Sequence, residues 1–207
     1  LNLISPIRRG LCHMHGKGFV NGNIVVEADL LAQIAIPTFH GIQKPDPPIP
    51  FVNYAIEFDG NGDNIQINGS DLNPPWTVEV WYERASNNNG ANLLWRCGVG
   101  CWGLKLEQWS NTHKLGITKF GNTDWKWNYI TSIGKWEHVV WVGKNNNVEL
   151  FVNGVSKGTK NLSNAKLYWK YIGKANGNLT IDGKIDELRI WNDARTATEI
   201  KSNMFKE

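Results

Sequence analysis

From residue 54 onward, polar and apolar residues alternate in short runs, and the runs are separated by Gly-, Asn- and Asp-rich stretches. A repeat of two is that of a strand, whose successive side chains leave opposite faces. A helix needs a repeat of about 3.6, which this region offers only near its end. The run WTVEVWYER is the clearest case. Val78, Val80 and Tyr82 face one way, and Thr77, Glu79, Trp81 and Glu83 face the other. The pattern therefore predicts sheets with one buried and one wetter face.

The remaining runs fit the same reading. YAIEFDGNGDNIQI gives two short strands around DGNGDN, whose residues accept left-handed backbone. NLLWRCG, WGLKLEQ, KLGITKF, WEHVVWVG, NVELFVNGV, LYWKYIGKA and KIDELRIWND follow as strands, and SNNNGAN as a polar loop. Asn153-Gly154 is the strongest hairpin signal. TATEIKSNM has helical spacing, with Thr196 or Thr198 as its N-cap. Roughly nine to twelve short strands and one helix predict an antiparallel sandwich or barrel. No fixed-period repeat is evident, which disfavours a propeller.

Composition divides the chain. All eight Pro lie at or before position 75, and all 11 Trp at or after 76. Residues 44–50 read KPDPPIP, which favours a semi-rigid, polyproline-like spacer. Residues 1–50 are accordingly read as an extended N-terminal arm with a Pro-rich linker, and 51–207 as the main domain. Within the arm, NIVVEADLLAQIAI suits a strand or two, or a short helix, and is too short to enclose a core. An apolar arm of this kind is buried against the main domain or a neighbouring subunit. The second is favoured here, which makes the protein part of an assembly.

Charge and cysteine content exclude several classes. With 22 basic and 19 acidic residues, the formal charge is +3, too weak and too mixed for a nucleic-acid binder. No apolar run approaches the roughly 20 residues of a membrane-spanning helix. Three cysteines, Cys12, Cys97 and Cys101, cannot all pair within the chain, so no disulfide framework is expected. Gly98–Gly100 between the last two could close a small disulfide or hold part of a metal site. Free thiols are the simpler expectation. His13 and His15 beside Cys12 do not complete a four-ligand zinc set.

AIEFDGNGDNIQI, WTVEVWYER, GKWEHVVWVGKNNNVELFVNGVSKG and NLTIDGKIDELRIWNDARTATEI occur in this order over about residues 54–202. This ordered set resembles the laminin-G-like group of the concanavalin A-like lectin/glucanase superfamily. The resemblance implies two curved antiparallel sheets in a jelly-roll sandwich, closed by a short C-terminal helix. It also implies a binding function, for glycans, cell-surface proteins or neighbours in an assembly, although some relatives are glycanases.

Glycan cleavage normally needs two carboxylates flanking the bond. Glu79 and Glu83 share a strand face, but Trp81 stands between them where the superfamily's glucanases carry an acid. They are read as solvated face residues. Asp186 and Glu187 point to opposite faces, and no nucleophile-elbow, zinc-protease or phosphate-loop motif is present. The expectation is a non-enzymatic protein. Calcium prefers carboxylates and carbonyls in loops. DGNGDN offers Asp59 and Asp63, which the family's topology brings toward Asp186 or Asp182, so Asp59, Asp63 and Asp186 form a candidate calcium set.

The resemblance assigns Trp136 and Trp191 to core positions, and Trp76 and Trp81 are read as packing too. Trp125, Trp127 and Tyr129 are different. Two apart in the polar context GNTDWKWNYI, they share a face if extended. With Trp109 in EQWSNTH, they form a candidate ligand or partner surface, since flat aromatics stack on sugars or anchor interfaces. The leading expectation is an adhesion module that docks into a virion, tail-fibre or surface assembly through its arm. A lectin domain is the alternative, and a glycan hydrolase or lyase a weaker one. A virion or extracellular cell-surface location follows, with no nucleic-acid partner.

Overall fold

The structure is a computed structural model. It describes residues 54–67, 69–175 and 179–206 in full, and the backbone alone of 2–3, 11–20 and 23–33. The chain divides into two units, Leu1–Gly41 and Ile42–Glu207. The Pro-rich spacer at 44–50 lies outside the described residues.

In the first unit, β1 (Asn2–Leu3), β2 (Leu11–Val20) and β3 (Asn23–Gln33) form an antiparallel sheet in that order. The segment for which strand and helix stood open is thus a strand. The β2–β3 register runs from Leu11↔Gln33 to Val20↔Asn23, with a bulge at Gly18/Phe19. Cys12, His13 and His15 fall on β2, and their side chains lie outside the described residues.

The described part of the second unit holds twelve strands and one helix. These are β4 (Ile56–Asp59), β5 (Ile65–Gln66), β6 (Trp76–Arg84), β7 (Asn92–Trp95), β8 (Trp102–Lys105) and β9 (Gly116–Lys119), then β10 (Thr123–Lys126), β11 (Trp136–Lys144), β12 (Asn147–Val152), β13 (Val155–Asn161), β14 (Tyr171–Ile172), β15 (Asp182–Trp191) and α1 (Ala197–Asn203). They form two six-stranded sheets, in the orders β10-β9-β8-β7-β14-β5 and β13-β12-β11-β6-β15-β4. All pairings within them are antiparallel. The expected jelly-roll sandwich with a short C-terminal helix is what the chain forms.

The core lies between the two sheets. Trp76, Val78, Val80 and Tyr82 of β6, Val139 and Trp141 of β11, and Leu150 of β12 meet Leu94, Leu104 and Ile117 of the opposite sheet. The Asn153-Gly154 turn joins β12 to β13 with both residues at positive φ, as a two-residue hairpin requires. Thr196, not Thr198, caps α1, and Glu199 completes a capping box.

The other face of β6 departs from expectation. Thr77 and Glu79 are buried, not wet. α1 and the tail cover this face. Ile200 packs with Val140, Val142 and Phe151, and Trp81 donates its indole N–H to the Met204 carbonyl at 2.8 Å. Glu79 is 2% exposed; its Oε1 accepts the Trp191 indole N–H at 2.6 Å, and its Oε2 lies 3.2 Å from Nε2 of buried His138. Glu79 is therefore no solvated residue. Burial pushes its carboxyl up, but hydrogen bonds from His138 and Trp191 and nearby positive charge outweigh that and hold it below the usual value. Trp76 and Trp81 are core residues as expected, whereas Trp136 and Trp191 are only half-buried.

Candidate functional site

The sheet that ends in β10 positions a pocket on the face turned away from the core. Along β8 and β9, Trp102, Leu104 and Ile117 point inward, so the intervening Gly103, Lys105 and Thr118 point outward. The register sets Thr118 between Gly103 and Asp124. Phe120 lies over Gly103, where a Cβ would meet its ring at 2.8 Å, so this strand position has to be Gly. Trp109 and Leu179 complete the walls around a cavity of about 340 Å³. That is the small end of the range for ligand pockets, suited to one sugar unit or a ligand of similar size.

The polar groups of the pocket are tied together. The Gln108 side-chain amide donates to Thr118 Oγ1 at 2.8 Å, and Thr118 donates to Asp124 Oδ1 at 2.6 Å. The Trp109 indole N–H donates to Asp124 Oδ2 at 2.6 Å. Trp109 is thus held in one orientation while the residue stays 55% exposed. Lys105 is 2% exposed, with Nζ 3.1 Å from the Gly90 carbonyl and 5.2 Å from the Phe120 ring centre. Burial lowers its pKa to about 8, against the opposing pull of Asp124. Gly90 itself has φ +94°, and a Cβ there would meet Leu179 Cδ2 at 2.8 Å.

The segment that presents Trp109 is strained and anchored. Ser110, Asn111 and His113 all have positive φ, between 52° and 61°. Such clusters persist only where surrounding contacts hold them. The anchor is Glu107, fully buried, 2.6 Å from Arg84 Nη2 and 3.0 Å from His113 Nδ1. Burial pushes the Glu107 carboxyl up despite those partners. On the pocket's far side, a disulfide joins Cys97 to Cys101, in place of the free thiols expected, with Cα atoms 5.8 Å apart. The turn it closes pairs with Phe120, through Gly100 N–H to the Phe120 carbonyl at 2.7 Å and Phe120 N–H to the Cys101 carbonyl at 2.9 Å.

Of the four aromatics read from sequence as a surface, only Trp109 lines this pocket. Trp125, Trp127 and Tyr129 do share a side, but it is the inner one. Trp127 is 1% exposed and donates its indole N–H to the Gly158 carbonyl of β13 at 2.7 Å, bridging the edges of the two sheets. Trp125 stacks on Trp102 with ring centres 5.3 Å apart. The Tyr129 hydroxyl donates to Glu137 Oε1 at 3.2 Å, and Lys157 Nζ lies 4.7 Å from its ring centre. Closing the open side of a sandwich takes large apolar groups, and these three supply them.

The candidate calcium set does not converge. Asp59 Oδ1 accepts the Asn61 N–H at 2.7 Å and Asp63 Oδ2 the Asp59 N–H at 3.2 Å, so both carboxylates close their own turn. Asp182, not Asp186, lies across from Asp59; Asp186 pairs with Trp81 further along β15. Among the described residues, no three His, Cys, Asp or Glu side chains are placed to hold a metal. Lys105, Thr118 and Asp124 were missed from sequence. Their signal was the strand alternation itself, which put them outward, but nothing local marked that face as concave.

A family model described as the Concanavalin A-like lectin/glucanases superfamily, of laminin-G type, matches residues 59–201. Among solved structures, domain 4 of AbnA, a GH43 extracellular arabinanase from Geobacillus stearothermophilus, in complex with arabinotriose, is similar. It has a TM-score of 0.59 at 17% identity, over 72% of this chain and 75% of that one. The CBM40 of the Ruminococcus gnavus IT-sialidase gives 0.53 at 15%, over 72% and 96%. The binding domain of Paraclostridial Mosquitocidal Protein 1 gives 0.51 at 18%, over 73% and 42%. At these identities the likeness is one of fold. No curated protein matches.

Proposed function

This chain belongs to the concanavalin A-like lectin/glucanases superfamily, and we propose that its sandwich is a non-catalytic carbohydrate-binding domain whose site is the Trp109 pocket. The observation that carries this reading is an exposed indole held rigid by Asp124, beside a cavity with few, fixed polar groups. Sugars offer an apolar ring face and many hydroxyls, which such a surface complements. The similar structures include a carbohydrate-binding module and an arabinanase domain solved with arabinotriose, which supports the reading. Among the described residues, Asp124 is the one carboxylate lining the pocket, whereas hydrolysis needs two flanking the bond. The test is binding to a glycan array and to soluble polysaccharides, with reducing-sugar release measured in parallel. Retention without release is expected; release that is lost in Asp124→Asn would establish an enzyme instead.

The first unit favours a second role beside this one. A sheet of three strands in some 41 residues is too small to enclose a core of its own. It is proposed as the element that docks the protein into a larger assembly, of a virion or a cell surface, with neighbouring subunits as partners. Light scattering on the full chain and on protein lacking residues 1–41 tests this: the shortened form should be monomeric where the full chain is not.

A further inference from the structure

The buried lysine under the pocket narrows the ligand class. An ammonium carries three N–H donors. Among the described residues, Lys105 Nζ has one hydrogen-bond acceptor, the Gly90 carbonyl, and the face of Phe120 at 5.2 Å. The Asp124 charge favours the ammonium, but among the described residues the two form no ion pair, and each Asp124 oxygen accepts a hydrogen bond from elsewhere, from Thr118 and from Trp109. Lys119 on β9 adds no charge on this side, since its ammonium lies 5.6 Å from the ring centre of inward-facing Trp102. A buried cation with donors to spare is costly unless an anion meets it. The apolar part of the lining is made by Trp109, Phe120 and Leu179.

We propose that the pocket selects a carboxylated sugar, with the carboxylate over Lys105 and the ring stacked on Trp109. The inference rests on the carbohydrate-binding reading above and adds the charge of the ligand to it. A carboxylate supplies two acceptors to the spare N–H donors and forms charge-assisted hydrogen bonds, the stronger kind. A neutral sugar leaves those donors to water. Burial lowers the pKa of Lys105 to about 8 against the pull of Asp124, and an anionic ligand raises it again, so binding near pH 8 takes up a proton. Among the described residues, the charged group acting on Lys105 from a neighbouring strand is Asp124 on β10.

The test is calorimetry on the full chain with matched pairs, D-galacturonate against D-galactose and D-glucuronate against D-glucose. Each pair is measured well below and well above the pKa of Lys105. The acid of at least one pair should bind roughly tenfold more tightly than its neutral partner at the lower pH. That advantage should vanish at the higher pH while neutral-sugar affinity stays level. Whichever acid shows it identifies the sugar. Lys105→Met, which keeps an apolar stem, should remove the advantage; if that variant does not fold, the pH arm on unaltered protein decides. Equal binding within both pairs, abolished by Trp109→Ala, would overturn the charge selection and leave carbohydrate binding standing. No binding of any of the four sugars or of the polysaccharides would overturn both.

Discussion

Two tryptophans eighteen positions apart show how differently the same side chain is used. Trp109 and Trp127 both sit among polar neighbours in sequence, yet one is 55% exposed and the other 1%. Trp109→Ala should therefore reduce glycan affinity at least tenfold, about 1.4 kcal/mol. Its effect on stability should stay within about 0.5 kcal/mol, the scale of surface substitutions. Trp127→Ala should cost about 3–5 kcal/mol by opening a cavity between the sheet edges. Urea unfolding of both variants, beside binding titrations, separates the two roles, and the reverse pattern would refute the placement of the site. The row Trp125, Trp127, Tyr129 was legible as a row because period two is local. Which side it faced was not, because that depends on where β13 runs.

At the scale of single elements, the C-terminal helix has the largest effect for its size. Seven residues long, α1 is marginal alone and owes its stability to Ile200 packing on Val140, Val142 and Phe151. Its start is fixed by the reciprocal Thr196–Glu199 hydrogen bonds. Thr196→Ala should cost about 1 kcal/mol, read from the urea midpoint at unchanged m-value. An unaltered midpoint would mean that packing alone holds the helix. The cap was legible in the sequence only as a choice between Thr196 and Thr198, and the structure decides it through the hydrogen bonds of Thr196 with Glu199. That the helix would cover the second face of β6 was not legible, and for that reason Glu79 was read as solvated.

Across the whole molecule, Glu79 and its partners couple folding to pH. Its folded pKa lies below the ordinary 4.5, so it contributes stability above that value, lost as pH falls through the folded pKa. Glu107 works in the opposite sense. Its folded value is raised, so folding gains as pH falls from that raised value toward 4.5. Melting temperatures below pH 4.5 should therefore fall less steeply for Glu79→Gln than for the unaltered protein. Parallel curves would show that other groups set the acid limit. Chelation is the second whole-molecule test. With Asp59 and Asp63 closing their own turn and Asp186 elsewhere on β15, excess EDTA should leave the melting temperature unchanged. A drop restored by calcium would mean that those carboxylates rearrange around an ion.

The choice of a two-sheet sandwich over a barrel came from the family resemblance; the residue pattern itself determined the strand class, the places of most strands along the chain, the Asn153-Gly154 hairpin and the helical C-terminal segment. Each of these follows from side-chain period or turn chemistry within about ten residues. Tertiary structure alone decided which polar face was covered, which aromatics sealed the core, and that Lys105, Trp109, Thr118 and Asp124 share one pocket. Those outcomes depend on strands that meet through pairing rather than through sequence. No local pattern records which neighbour a strand will find.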